Sequence, residues 1–171
     1  MPTFAQQPPP DWQFLVIAIP IFLFFWSGVV ASISIVGGWH NLAKRFRQEE
    51  TTFRIHGASD GQVEKFRWSS LKMGPKYFPT NYGNCTTVTL SDDGIGLKVM
   101  LLFRPLHPPL LIPWLAIESI ETGKELLLFE RTSIQIKGLS NPIRIYGRIG
   151  QAIESYWTAA RSEDVRRDLH T

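Results

Sequence analysis

The spacing of apolar positions changes three times along the 171 residues. Phe14–Val36, FLVIAIPIFLFFWSGVVASISIV, is apolar all the way round a helix and carries no charge over 23 positions. At about 1.5 Å per residue the segment is roughly 34 Å long, and the hydrocarbon core of a bilayer is about 30 Å thick. A surface helix needs a polar face, and a chain this short has too little core to enclose an all-apolar helix. The segment is therefore expected to span a membrane. A cleaved signal peptide starts with basic residues and has an apolar core of only about 7 to 15 residues. Residues 1–13 contain no Lys or Arg, so an uncleaved anchor is the better reading. Pro20 is expected to bend its first turns.

The next stretch, WHNLAKRFRQ, keeps a helical rhythm but is amphipathic. Trp39, Leu42, Ala43 and Phe46 share one face, and His40, Lys44, Arg45 and Arg47 lie away from it. The expectation is a helix leaving the membrane, its apolar face at headgroup level and its basic face toward anionic lipid; a plain basic flank is the alternative. Trp12 and Trp39 bracket the span, where amphipathic rings favour the interface. Trp12, Trp39, Lys44, Arg45, Phe46 and Arg47 are thus the expected membrane-interface residues. Lys44, Arg45 and Arg47 follow the span and no basic residue precedes it, so the positive-inside rule puts the N-terminus outside and the rest in the cytoplasm. The expected location is the cell membrane (the inner membrane if the cell has two). Glu49-Glu50 and HGASDG (56–61) read as a linker.

From about residue 62 the period becomes two. Phe66 and Trp68 fall on one face of EKFRWSS, with Lys65 and Arg67 opposite. Val88 and Leu90 share a face of NCTTVTL. Ile95, Leu97, Val99, Leu101 and Phe103 share a face of GIGLKVMLLF. Ile134 and Ile136 pair in SIQIK, and Ile143 and Ile145 in PIRIY. KELLLFER (124–131) is apolar enough for a central strand. SDDG (91–94) and GLSNP (138–142) are turn signals. Six or seven short strands of this kind imply a small antiparallel barrel or sandwich. A helical stripe then returns in residues 148–161, through Ile149, Ala152, Ile153, Tyr156, Trp157 and Ala160. Such a helix must dock on the sheet, closing one end of the barrel. SEDVRRDLHT (162–171) reads as a frayed charged tail. The chain thus divides into a tail (1–13), a transmembrane helix (14–38), a juxtamembrane helix and linker (39–61), a mainly-β domain with its C-terminal helix (62–161) and a second tail (162–171).

HPPLLIPW (107–114) sits between two of these strands. Its prolines lack amide donors, so it cannot be the middle of a central strand. It reads as a hairpin connection, a short return strand Leu110–Ile112 and a corner at Pro113. Its apolar tip, Leu106–Leu111, has contact with the bilayer or a partner as an alternative role. The run Ile112, Pro113, Trp114 and Ile117, inside a barrel closed by a C-terminal helix, resembles the bacterial PH-like domains, which often accompany membrane helices. The resemblance covers roughly residues 62–161. It implies a PH-like barrel acting as a protein-interaction or scaffolding module without catalysis. Eukaryotic PH domains that bind phosphoinositides use basic residues around the first hairpin, and Lys65, Arg67, Lys72 and Lys76 occupy the comparable region here. They are the candidate residues for a lipid-headgroup-sensing role.

Composition adds mainly exclusions. The net charge of +3 comes from basic residues scattered among acidic ones, without the clustered stripe that nucleic acid requires. The single Cys85 excludes an intrachain disulfide and reads as a small buried hydrophobe. His107 has no second ligand at metal spacing, so no metal or other cofactor is expected. No G-x-S-x-G, H-E-x-x-H, P-loop or dinucleotide fingerprint is present; Asp92-Asp93 lies in a turn and Glu118 and Glu121 in a strand. An enzyme is not expected. The expected partners are the lipid bilayer and an unidentified protein, and Gly28 and Ser32, four apart in the span, are small enough for helix–helix association into a homo-oligomer.

Overall fold

The computed structural model describes residues 12–48, 63–75, 79–125 and 129–168. Helix α1, Trp12–Val36, runs unbroken through Pro20. It is long and apolar enough to cross a membrane, and only 6% of its apolar window is buried. That exposure separates it from the core helix of a globular domain, which hides such a surface. It stops at Gly37-Gly38. Gly37 N–H donates to Ile33 O and Gly38 N–H to Ile35 O, and Gly38 takes the left-handed conformation at φ 81°, a helix-ending geometry that favours glycine. Helix α2, Trp39–Phe46, follows at once. Its apolar face turns into the domain core: Trp39 and Leu42 are buried, and Ala43 and Phe46 pack against the same cluster.

Seven antiparallel strands follow: β1 Glu64–Met73, β2 Thr80–Ser91, β3 Gly94–Val99, β4 Leu110–Pro113, β5 Ile117–Glu125, β6 Phe129–Ile136 and β7 Ile143–Tyr146. They form one curled sheet, a half-barrel, in the order β4-β3-β2-β1-β7-β6-β5. It does not close. Pro113 ends β4, and the single turn Trp114–Ala116 carries the chain to the opposite edge as β5. The outer edge of β4 is met by the end of α2, through an Arg47–Leu110 bridge and a bond from Gln48 N–H to Pro109 O.

The period-two faces hold in β2, β3, β6 and β7, where Val88, Leu90, Ile95, Leu97, Val99, Ile134, Ile136, Ile143 and Ile145 are all buried. Three expectations change. In β1 the register shifts between Phe66 and Ser69. Trp68 sits there at φ 62° and is exposed, while Ser69, Leu71 and Met73 point inward. A bulge shifts the alternation by one residue, so Phe66 and Trp68 do not form one face. The strand expected to reach Phe103 ends at Val99, and Leu101–Phe103 is a helical turn. KELLLFER is not one central strand: Lys124 and Glu125 end β5, Phe129 to Arg131 open β6, and residues 126–128 lie outside the described residues.

Helix α3, Ile149–Asp168, extends seven residues past the expected end at 161. It packs on the Trp114–Ala116 turn, β2, β6 and β7. Ile149 and Ile153 enter the core, and Ala152, Tyr156, Trp157 and Ala160 lie along its margin, with the Tyr156 ring stacked 6.0 Å from Trp114.

Candidate functional site at the foot of the apolar helix

The loop joining β3 to β4, residues 100–109, runs alongside α1 and α2. Three side chains from the helices bond its carbonyls at three heights. Trp26 Nε1 donates to Leu102 O at 3.0 Å, Ser34 Oγ to Leu106 O at 2.6 Å, and Trp39 Nε1 to Pro108 O at 3.0 Å. Trp26 also lies against Phe103, centroids 5.6 Å apart. Trp26, Val30 and Ser34 follow one another at intervals of four and so share one face of α1; Val30 and Ser34 are buried there. The sequence pattern did not single out Trp26, Ser34 or Tyr82. The available signal for Trp26 and Ser34 was their spacing of eight, which puts two hydrogen-bonding side chains on one face of an apolar helix; Tyr82 had none.

Below this seam His107 is enclosed by aromatic rings. It lies 5.3 Å from Trp39 and 5.5 Å from Tyr82, and Trp39 and Tyr82 are 5.5 Å apart. Its Nδ1 is 3.0 Å from Pro105 O and its Nε2 3.2 Å from Tyr82 OH. An Nδ1–H tautomer satisfies both contacts, donating to the carbonyl and accepting from the phenol. Burial lowers the imidazole pKa, partly offset by the Pro105 carbonyl, and burial raises that of Tyr82. Both groups are therefore neutral at ordinary pH, and the histidine of HPPLLIPW is a hydrogen-bonded core residue. The loop's exposed apolar tip is Met100, Leu101, Leu102 and Leu106, whereas Leu110 is buried.

A cleft of about 370 Å³ opens where α1 meets α2. Its walls are the Gly37-Gly38 kink, one face of α2, Met73-Gly74 at the end of β1, and the β6–β7 turn from Gly138 to Ile143. Lys44 and Arg45 line it together with Asn41, Ser140 and Asn141. No carboxylate is among the described lining residues. Arg45 is partly committed, its Nη1 donating to Lys137 O at 3.2 Å. Two cations with amide and hydroxyl groups and no acid make a cleft suited to an anion.

The other expected residues are distributed differently. Lys65 and Arg67 are exposed, and Lys72 lies beyond the bulge with Nζ 4.8 Å from the Tyr146 ring centroid. At about 3.3 Å per residue, Lys65 and Lys72 are roughly 23 Å apart along β1, so these cations do not converge on one headgroup. Lys76 lies outside the described residues. Trp12 is exposed at the start of α1, Lys44, Arg45 and Arg47 are exposed around α2, and Phe46 is half-buried. Trp39 is fully buried. The Cys85 thiol is half-buried and its pKa is raised by that burial, which holds it in the poorly nucleophilic form. Among the described residues no three of His, Cys, Asp or Glu come together as metal ligands. No protein-family model matches the chain, and no curated protein matches it.

Proposed function

We propose that this chain is a single-pass membrane protein whose PH-like β domain, on the cytoplasmic side, serves as a protein-interaction or scaffolding module held against the bilayer. The observation that carries the reading is α1 itself: a long helix with its apolar surface exposed, bonded through Trp26 and Ser34 to the domain it would anchor. Water disfavours a surface of that kind, and its length matches a lipid core. The side assigned to the domain rests on Lys44, Arg45 and Arg47 following the span.

The test is purification of the C-terminally tagged full-length chain from membranes in mild detergent, beside a fragment of residues 37–171. The fragment starts at Gly37 because a start at 49 removes Trp39 and Leu42 from the core. One protein recovered with both forms supports the module. Recovery of none with either form, or catalytic turnover by the fragment, overturns it.

A second reading, recognition of an anionic lipid headgroup, is favoured by the cation-lined cleft at the Gly37-Gly38 kink. There the headgroup would be met at the foot of the span, not on β1. Native mass spectrometry of the full-length protein should show a retained anionic phospholipid, lost in the Lys44→Glu/Arg45→Glu variant. Equal retention by both forms removes this reading.

A further inference from the structure

We propose that the β3–β4 loop is itself embedded in the bilayer, with Met100, Leu101, Leu102 and Leu106 among the acyl chains beside α1. The inference rests on α1 spanning the membrane and adds a second point of entry, from the domain side.

Depth comes first. The bond from Trp26 to Leu102 O ties the loop tip to a residue ten positions before the end of α1. Ten residues are about 15 Å of helix, roughly half of a 30 Å hydrocarbon core. On the side of α1 away from the loop, Ile35 and Val36 at its very end are still apolar and exposed. The acyl region therefore continues to the foot of the helix, and the loop occupies the same slab.

Exposure is the second argument. Leu101 is 74% exposed, Leu102 54%, Leu106 53% and Met100 41%. Four large apolar side chains within seven residues form a patch that water disfavours. It lies beside α1, joined to it by the Trp26–Phe103 contact, and the side chains of α1 are exposed as well.

The backbone supplies an independent third argument. Irregular backbone enters hydrocarbon only where its polar groups are satisfied by protein. Met100 O accepts from Phe103 N–H, Leu101 O from Arg104 N–H, and Arg104 O from His107 N–H. Leu102 O and Leu106 O are taken by Trp26 and Ser34, and Pro105 O by His107 Nδ1. Pro105 has no N–H to satisfy, and Met100 N–H is tied back to Cys85 O. The i→i+3 bonds are those of ordinary turns; what is particular to this loop is that Leu102 O, Leu106 O and Pro105 O are taken by side chains. The loop's one formal charge is Arg104, which is half-buried.

The test uses the full-length chain with Cys85→Ser and one new cysteine, labelled with an environment-sensitive fluorophore and reconstituted in phosphatidylcholine–phosphatidylglycerol vesicles. The new cysteine replaces Leu102 or, as a second variant at the most exposed position, Leu101. Phe22→Cys on α1 reports the span and Glu118→Cys on β5 reports water. Labels at 101 and 102 should show blue-shifted emission, quenching by brominated lipid comparable to that at 22, and protection from iodide. Quenching at 22 with iodide access at 101 and 102 overturns the loop's insertion and leaves the anchor standing. Labels at 101 and 102 shielded from both quenchers mean that a second copy covers the patch, and this too overturns it. Iodide access at 22 overturns the anchor and the loop together.

Discussion

Trp39→Ala is the sharpest single test of whether α2 belongs to the domain or merely connects to it. Trp39 is fully buried, wedged against Tyr82 and His107, with its indole N–H on Pro108 O. Truncating a core tryptophan to alanine costs about 3–5 kcal/mol from lost burial and the cavity left behind. Trp39→Phe keeps most of the packing but strands the Pro108 carbonyl, a loss of about 1–3 kcal/mol. At about 4 °C per kcal/mol for a domain of this size, the Ala variant should melt roughly 12–20 °C lower and the Phe variant roughly 4–12 °C lower. The assay is loss of the β-sheet circular dichroism signal on heating the full-length protein in detergent. A shift for Trp39→Ala below about 4 °C, under one kcal/mol on that scale, would refute the shared core. A larger loss for Phe than for Ala would refute the assigned role of the ring.

Acid should weaken the same core. The unfolded chain protonates His107 near 6.5, whereas the buried imidazole, facing Trp39 and Tyr82, resists protonation. Its contribution is therefore complete above pH 6.5 and is lost as pH falls from there toward the lowered folded value; melting curves from pH 7.5 to 5 should show a decline that is shallower in His107→Gln, and equal slopes would contradict this. A side chain at Gly37 would meet Ile33 O and Tyr82 OH at 2.7 Å and Thr80 Cβ at 2.9 Å, so Gly37→Val should cost about 1–3 kcal/mol in the same melts. Gly28 has nothing within 4 Å, and Gly28→Ala should be neutral or up to about 1 kcal/mol stabilising; a loss there would mean that another helix packs on Gly28.

Much of the scaffold was legible because its signals are local. The long apolar helix announces itself by composition. The inward faces of β2, β3, β6 and β7 follow from alternation alone, and the stripe from Ile149 to Ala160 from helical periodicity. What escaped was set by contacts distant in sequence. The bulge that exposes Trp68 depends on β1 pairing with β2 around Thr86. The helical turn Leu101–Phe103 that follows the end of β3 is held by the bond from Trp26 Nε1 to Leu102 O, far off in sequence. The apolar face of α2 was visible, but its destination was not: an amphipathic pattern says that a face is covered, not by what. The cleft was hidden for the same reason, since Lys44 and Arg45 meet Ser140 and Asn141 only after the β6–β7 turn folds back beside α2.

The three bonds that α1 and α2 make to the loop have a mechanical meaning. A domain on a slack tether samples many heights and headings, and a partner can meet it from any side. Bonds at Trp26, Ser34 and Trp39 are spread over fourteen residues of chain and engage one loop, which restrains both tilt and swivel relative to the helix. The remaining freedom is motion of helix and domain together as one body. If the helix stands in a bilayer, every face of the domain is held at one elevation, like a lock mounted on a door and not hung from a chain.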